Sequence, residues 1–100
     1  MAKEVVLTAI AVNDFNNVID YLTSKWGEAV KDNFIERFEK VTDLLANNPG
    51  IYAYFDNIKR IQKCLVTKHN MLYFIEKDTV IEIITIFDTR QDPEKLTSII

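Results

Sequence analysis

An α+β domain, a helical hairpin packed on a small and mainly antiparallel sheet, is the fold class that three observations predict. Apolar residues recur at three- and four-residue steps through most of residues 9–46, the spacing of amphipathic helices. Three runs rich in β-branched and aromatic residues follow between 60 and 87. The breaks between those runs, Lys68-His69-Asn70 and Lys77-Asp78, are short and polar, of the length that closes antiparallel hairpins. The element order is therefore β-α-α-β-β-β.

The first element, Lys3 to Thr8, reads as a strand, and Thr8 offers an oxygen to cap a helix starting near Ala9. In that helix Ala11, Phe15, Val18, Ile19, Leu22 and Trp26 form one apolar stripe, and Gly27 ends it. The second helix carries Val30, Phe34, Phe38, Val41, Leu44 and Leu45 on one face, with Lys31, Asp32, Glu36, Glu39, Lys40 and Asp43 elsewhere. Asn47, Asn48, Pro49 and Gly50 stop it, because proline cannot continue the hydrogen bonding and glycine accepts the exit. After an aromatic-rich connection over 51–59 come strands at Arg60–Thr67, Asn70–Lys77 and Thr79–Phe87. The last is so continuously apolar that it belongs inside the sheet.

The length of 100 residues supports one core and one domain, residues 1–100. Apolar residues make up 48% and there are only two glycines and two prolines, which excludes a disordered chain. Cys64 is the single cysteine, and with one histidine it leaves no internal disulfide and none of the usual zinc sets; no metal and no cofactor is expected. The start, Ala-Lys-Glu-Val-Val after Met1, lacks the pattern of a signal peptide, and no apolar run is long enough to span a bilayer. The expectation is a soluble cytoplasmic protein without a membrane partner.

Charge is unevenly distributed. Residues 57–75 hold Lys59, Arg60, Lys63 and Lys68 with no acid, so a chain of net charge −3 divides into a +4 segment and a −7 remainder. Such a segment suits an anionic partner. Strand alternation nevertheless puts Arg60, Gln62 and Lys68 on one side and Lys59, Ile61 and Lys63 on the other, and edge lysines that deter aggregation explain them equally.

In this order and spacing, several pieces resemble the RelE/ParE superfamily of toxins from bacterial toxin–antitoxin modules. They are Thr8, Ala11, Asp14 and Phe15, then Asp20-Tyr21-Leu22, then Trp26-Gly27-Glu28 leading into FIERFEKVTDLLANNP, then KCLVTKHNMLYF and IEIITIFDTRQDPEKL. The resemblance implies the compact fold, an antitoxin encoded alongside, and growth arrest of the kind associated with plasmid stabilisation. Two activities are open. RelE-like members enter the ribosome and cleave mRNA with clustered Lys, Arg, His and Tyr side chains. ParE-like members inhibit DNA gyrase.

Arg90 stands just past the last strand, where the resembled family often has an arginine, and its fork suits bidentate phosphate binding; an ion pair with Asp88 or Asp92 is the alternative. His69, in the first hairpin turn beside Lys68, has an ordinary pKa near about 6.5, suited to proton transfer; solvation in a turn is its alternative. Arg90, His69 and Lys68 are thus the catalytic set if the chain is RelE-like. Arg60, Lys63, Lys68 and Arg90 are the expected target-binding set. Tyr52, Tyr54, Phe55, Leu96 and Ile99 are the expected antitoxin contacts, unless they cover the core instead.

Three departures favour the ParE-like side. Gln62 occupies a position where the resembled pattern often has arginine, Phe74 replaces a frequent tyrosine, and the tail Glu94–Ile100 has no His, Tyr or Arg. A pI near 5.1 is also a poor start for binding ribosomal RNA. The expectation is a non-enzymatic gyrase inhibitor neutralised by a cognate antitoxin, as a homodimer or a hetero-oligomer. An mRNA endoribonuclease acting with the ribosome is the alternative, and a repurposed member that only binds a partner is the third.

Overall fold

The computed structural model describes residues 2–100. Strand β1 (Glu4–Leu7) ends at Thr8, whose Oγ1 accepts from the Ala11 amide at 3.1 Å and so starts α1 (Ala9–Trp26). Gly27 separates α1 from α2 (Glu28–Asn47) at φ 92° and ψ 178°, a region open essentially to glycine alone. Its amide donates to the carbonyls of Leu22 and Thr23, closing the first helix while the second begins. A 3₁₀ turn over Pro49–Ile51 then leads to β2 (Tyr54–Asp56), β3 (Ile61–Thr67), β4 (Asn70–Glu76), β5 (Val80–Asp88) and α3 (Pro93–Ile99).

These strands form one sheet in the order β1-β5-β4-β3-β2. β1 runs parallel to β5 and every other neighbouring pair is antiparallel. The α+β class and the β-α-α-β-β-β frame hold, and β5 lies inside the sheet as its apolar run requires. Two elements were not expected. Part of the 51–59 connection is β2, a three-residue edge strand created by pairing with β3, and the C-terminal tail folds as α3.

Side chains from the two sheet faces build two cores. On one face Val66, Leu72, Phe74, Ile81, Ile83 and Ile86 pack under α1 and α2, where Ala11, Phe34, Val41 and Leu45 are buried. Rings of Phe15 and Phe38 meet edge to face at 4.9 Å between the helices. The other face carries Ile61, Tyr73 and Phe87, covered by Leu96 of α3. Tyr73 and Phe74 therefore belong to different cores, as strand alternation demands.

Candidate functional site

At the end of the sheet where β3 turns into β4, a hollow of about 890 Å³ opens between the helical hairpin and β5. The register brings its parts together. Asn70 pairs with Asp88, so the Lys68-His69 turn and the chain leaving β5 end side by side. Thr89 fastens them: its amide donates to the His69 carbonyl at 2.9 Å and its hydroxyl to the Lys68 carbonyl at 3.0 Å. Lys68, His69 and Arg90 consequently line one hollow, although 21 positions separate Lys68 from Thr89 along the chain.

The floor and walls are mainly apolar, formed by Val18, Leu22, Val30, Phe34 and Ile86, with Trp26 at the hairpin tip 61% exposed. Polar groups occupy the rim. Tyr21 and Asn17 come from α1, Asn33 and Arg37 from α2. Arg37 was not anticipated as a site residue. It falls three positions after buried Phe34, which puts it beside the apolar stripe, and although exposed it donates through Nε to the Val66 carbonyl at 2.8 Å. That spacing was the available signal.

Arg90 is engaged. Its Nε donates to Asp88 Oδ1 at 3.0 Å, its Nη2 to Oδ2 at 2.7 Å, and its backbone amide to Oδ1 at 2.9 Å. Hydrogen bonding by Arg90 is the main reason the Asp88 carboxyl sits below the usual carboxylate range, and the nearby His69 adds to it. The same contact, with Tyr21 adding to it, raises the Arg90 guanidinium above its ordinary value. Asp92, the other acid considered as a partner, instead caps α3 by accepting from the Glu94 amide at 3.0 Å.

Asp14 fixes the opposite wall. β1 stops at Leu7, which leaves the β5 edge uncovered beyond Ile83. Thr8 Oγ1 donates to the Ile84 carbonyl at 2.6 Å, and Asp14 Oδ2 accepts from the Thr85 hydroxyl at 2.5 Å and the Ile86 amide at 3.1 Å. The Thr8, Ala11, Asp14 pattern is thereby explained by structure: a cap, a close helix–sheet contact at fully buried Ala11, and a substitute for missing strand pairing.

The other expected residues lie elsewhere. Arg60 precedes β3 at φ 60°, with Nη2 on the Tyr54 hydroxyl at 3.1 Å. It sits at the opposite end of a seven-residue strand, roughly 20 Å from the Lys68 turn at about 3.3 Å per residue. Lys63 pairs with Tyr73 on the face away from α1 and α2. The four expected target-binding cations therefore do not form one surface; strand length separates Arg60 and side-chain alternation separates Lys63. Gln62, on the helix side, is 1% exposed and donates to the Pro49 and Tyr52 carbonyls.

Among the expected antitoxin contacts, Leu96 is 4% exposed and is core, with Ile99 packed beside it. Tyr52 stacks edge to face on Phe74. Tyr54 and Phe55 are accessible on the β2 edge, next to Ile58, which is 95% exposed. Asp56 holds that loop out by accepting from the Ile58 and Lys59 amides. Among the described residues no helix is long and apolar enough to cross a membrane.

The chain belongs to the ParE toxin family of type II toxin–antitoxin (parDE) systems, whose family model matches residues 5–93. Solved structures agree on the fold. The chromosomal ParDE system from P. aeruginosa superposes with a TM-score of 0.73 at 12% identity, over 87% of this chain and 96% of that one. The YoeB dimer from Staphylococcus aureus gives 0.63 at 10% identity, over 87% and 97%. A YoeB/ParE toxin from Agrobacterium tumefaciens gives 0.60 at 10% identity, over 85% and 97%. No curated protein matches the chain.

Proposed function

We propose that this chain is a ParE-like, non-enzymatic toxin that inhibits DNA gyrase in the cytoplasm and is neutralised by a cognate antitoxin. The observation that carries the choice of target is the clamp on Arg90: both nitrogens of its fork already meet a carboxylate. A scissile phosphate would meet a guanidinium whose charge is already paired and would have only its outer Nη1 and Nη2 hydrogens to bind. Buried Gln62 and core Phe74, at positions where RNA-cleaving relatives often have arginine and tyrosine, support the same reading. One structural neighbour belongs to a ParDE system, which supports an antitoxin partner, and another is a YoeB dimer, which supports a homodimer as the free form. Tyr54, Phe55 and Ile58 are the accessible apolar side chains that an antitoxin segment would cover.

The test is a supercoiling assay with purified protein. Inhibition of gyrase, relieved by adding the antitoxin, is expected. Unimpeded supercoiling together with codon-phased mRNA cuts in expressing cells would replace this reading with the RelE-like one. That second reading is favoured by the convergence of Lys68, His69, Arg37 and Arg90 on one hollow. Its signature is the loss of those cuts in Arg90→Ala and His69→Ala. A chain without any effect on growth would be a partner-binding member only.

A further inference from the structure

We infer that Asp88 is a specificity-determining residue: it latches Arg90 and so lowers the hollow's affinity for polyanions, favouring a protein partner at its apolar recess. The inference rests on the proposed protein target, and three features of the hollow lead to it.

Around the rim stand Arg37, Lys68 and Arg90, with His69 beside them, against the carboxylates of Asp14 and Asp88. Asp14 is committed to Thr85 and Ile86 of the sheet edge, and Arg37 is anchored through its Nε to the Val66 carbonyl. The Nε–Nη2 edge of Arg90 would fit a phosphate bidentately, and Asp88 fills that edge in the same two-point geometry. The pairing is pre-organised. Asp88 and Arg90 lie two residues apart, and the Arg90 amide bonding to Asp88 Oδ1 fixes the turn that holds the carboxylate against the guanidinium. Re-forming the pair therefore costs little chain entropy, and an incoming phosphodiester competes with a partner that is always at hand.

With the latch closed, the hollow offers the apolar surface of Trp26, Val18 and Leu22 beside Arg37 and Lys68. With it open, a guanidinium fork would join Lys68 and His69 around one anion-sized space. A single carboxylate thus shifts the balance between a surface for protein and one for nucleic acid.

The experiment measures binding of a short fluorescein-labelled single-stranded RNA by anisotropy, with wild type, Asp88→Asn, the double variant Asp88→Asn/Arg90→Gln, and Asp78→Asn as a control for net charge. Asparagine keeps an acceptor for the Arg90 amide and replaces the second carboxylate oxygen with an NH2 that cannot accept from Arg90 Nη2. Asp88→Asn is expected to bind about tenfold more tightly than wild type, the gain of a charge-assisted contact. The double variant and the control are expected to stay within about twofold of wild type. Equal affinity of Asp88→Asn and wild type overturns the latch, as does a gain that survives in the double variant. Should Asp88→Asn fail to fold, the single variant Arg90→Gln decides alone: RNA affinity within about twofold of wild type supports the latch, and a larger loss would show Arg90 already free in the wild type and end the proposal. Gyrase inhibition is scored separately on the wild type, so failure of that target leaves the RNA comparison readable.

Discussion

Asp14 supplies from a helix an acceptor for two donors of β5 beyond the end of β1, the Ile86 amide and the Thr85 hydroxyl. Both donors lie on the stretch of β5 that β1 leaves unpaired, yet they are shielded from water, and Thr85 is 1% exposed. Asp14→Ala leaves them without a partner and should cost about 1–3 kcal/mol in urea denaturation. Asp14→Asn, which retains an acceptor oxygen, should cost less. Asp88 predicts a pH dependence instead. Its carboxyl is depressed below the ordinary 3.8 chiefly by hydrogen bonding from Arg90, so the pair stabilises the fold above the unfolded-state value. That contribution is lost as pH falls through the lowered value. In acid denaturation followed by circular dichroism below about pH 4, wild type should therefore lose stability more steeply than Asp88→Asn. Equal slopes would mean that the pair adds nothing measurable in solution.

At the scale of elements, the helical hairpin depends on one backbone geometry and the outer core on one short helix. No atom lies within 4 Å of a Cβ built on Gly27, so Gly27→Ala meets no clash. The strain is entirely conformational, and the substitution should cost about 1–3 kcal/mol in urea denaturation. Leu96→Ala opens a cavity under α3 and should cost about 2–5 kcal/mol by the same measurement. The helices and long strands were legible because their apolar spacing persists over several turns or pairs. β2 was not, since three residues carry no periodicity and only the β3 edge makes them a strand. For α3 the signal existed: Asp92 followed by Pro93 is an N-cap with proline at the first helical position. Its seven residues were too few to show a stripe.

Across the whole molecule, the surfaces that could meet partners lie far apart. The hollow opens at the end of the sheet formed by the β3–β4 turn, while Tyr54, Phe55 and Ile58 project from the β2 edge and the loop that follows it. Ile58→Asp should weaken antitoxin binding by more than tenfold in calorimetry without lowering the melting temperature, because that side chain touches solvent almost everywhere. Leu96→Ala should do the reverse. Finding both variants alike in affinity would remove the β2 edge as a docking surface. Sequence by itself determined the class, the hairpin, the meander and the family motif, since each depends on local spacing and on which side chains avoid water. Only the tertiary structure decided which cations share a surface: pairing Asn70 with Asp88 brings Lys68 and His69 to Arg90, whereas the length of β3 carries Arg60 away. It also decided that Arg90 is held by Asp88 rather than Asp92, because the carboxylate of Asp92 is already committed to the first turn of α3.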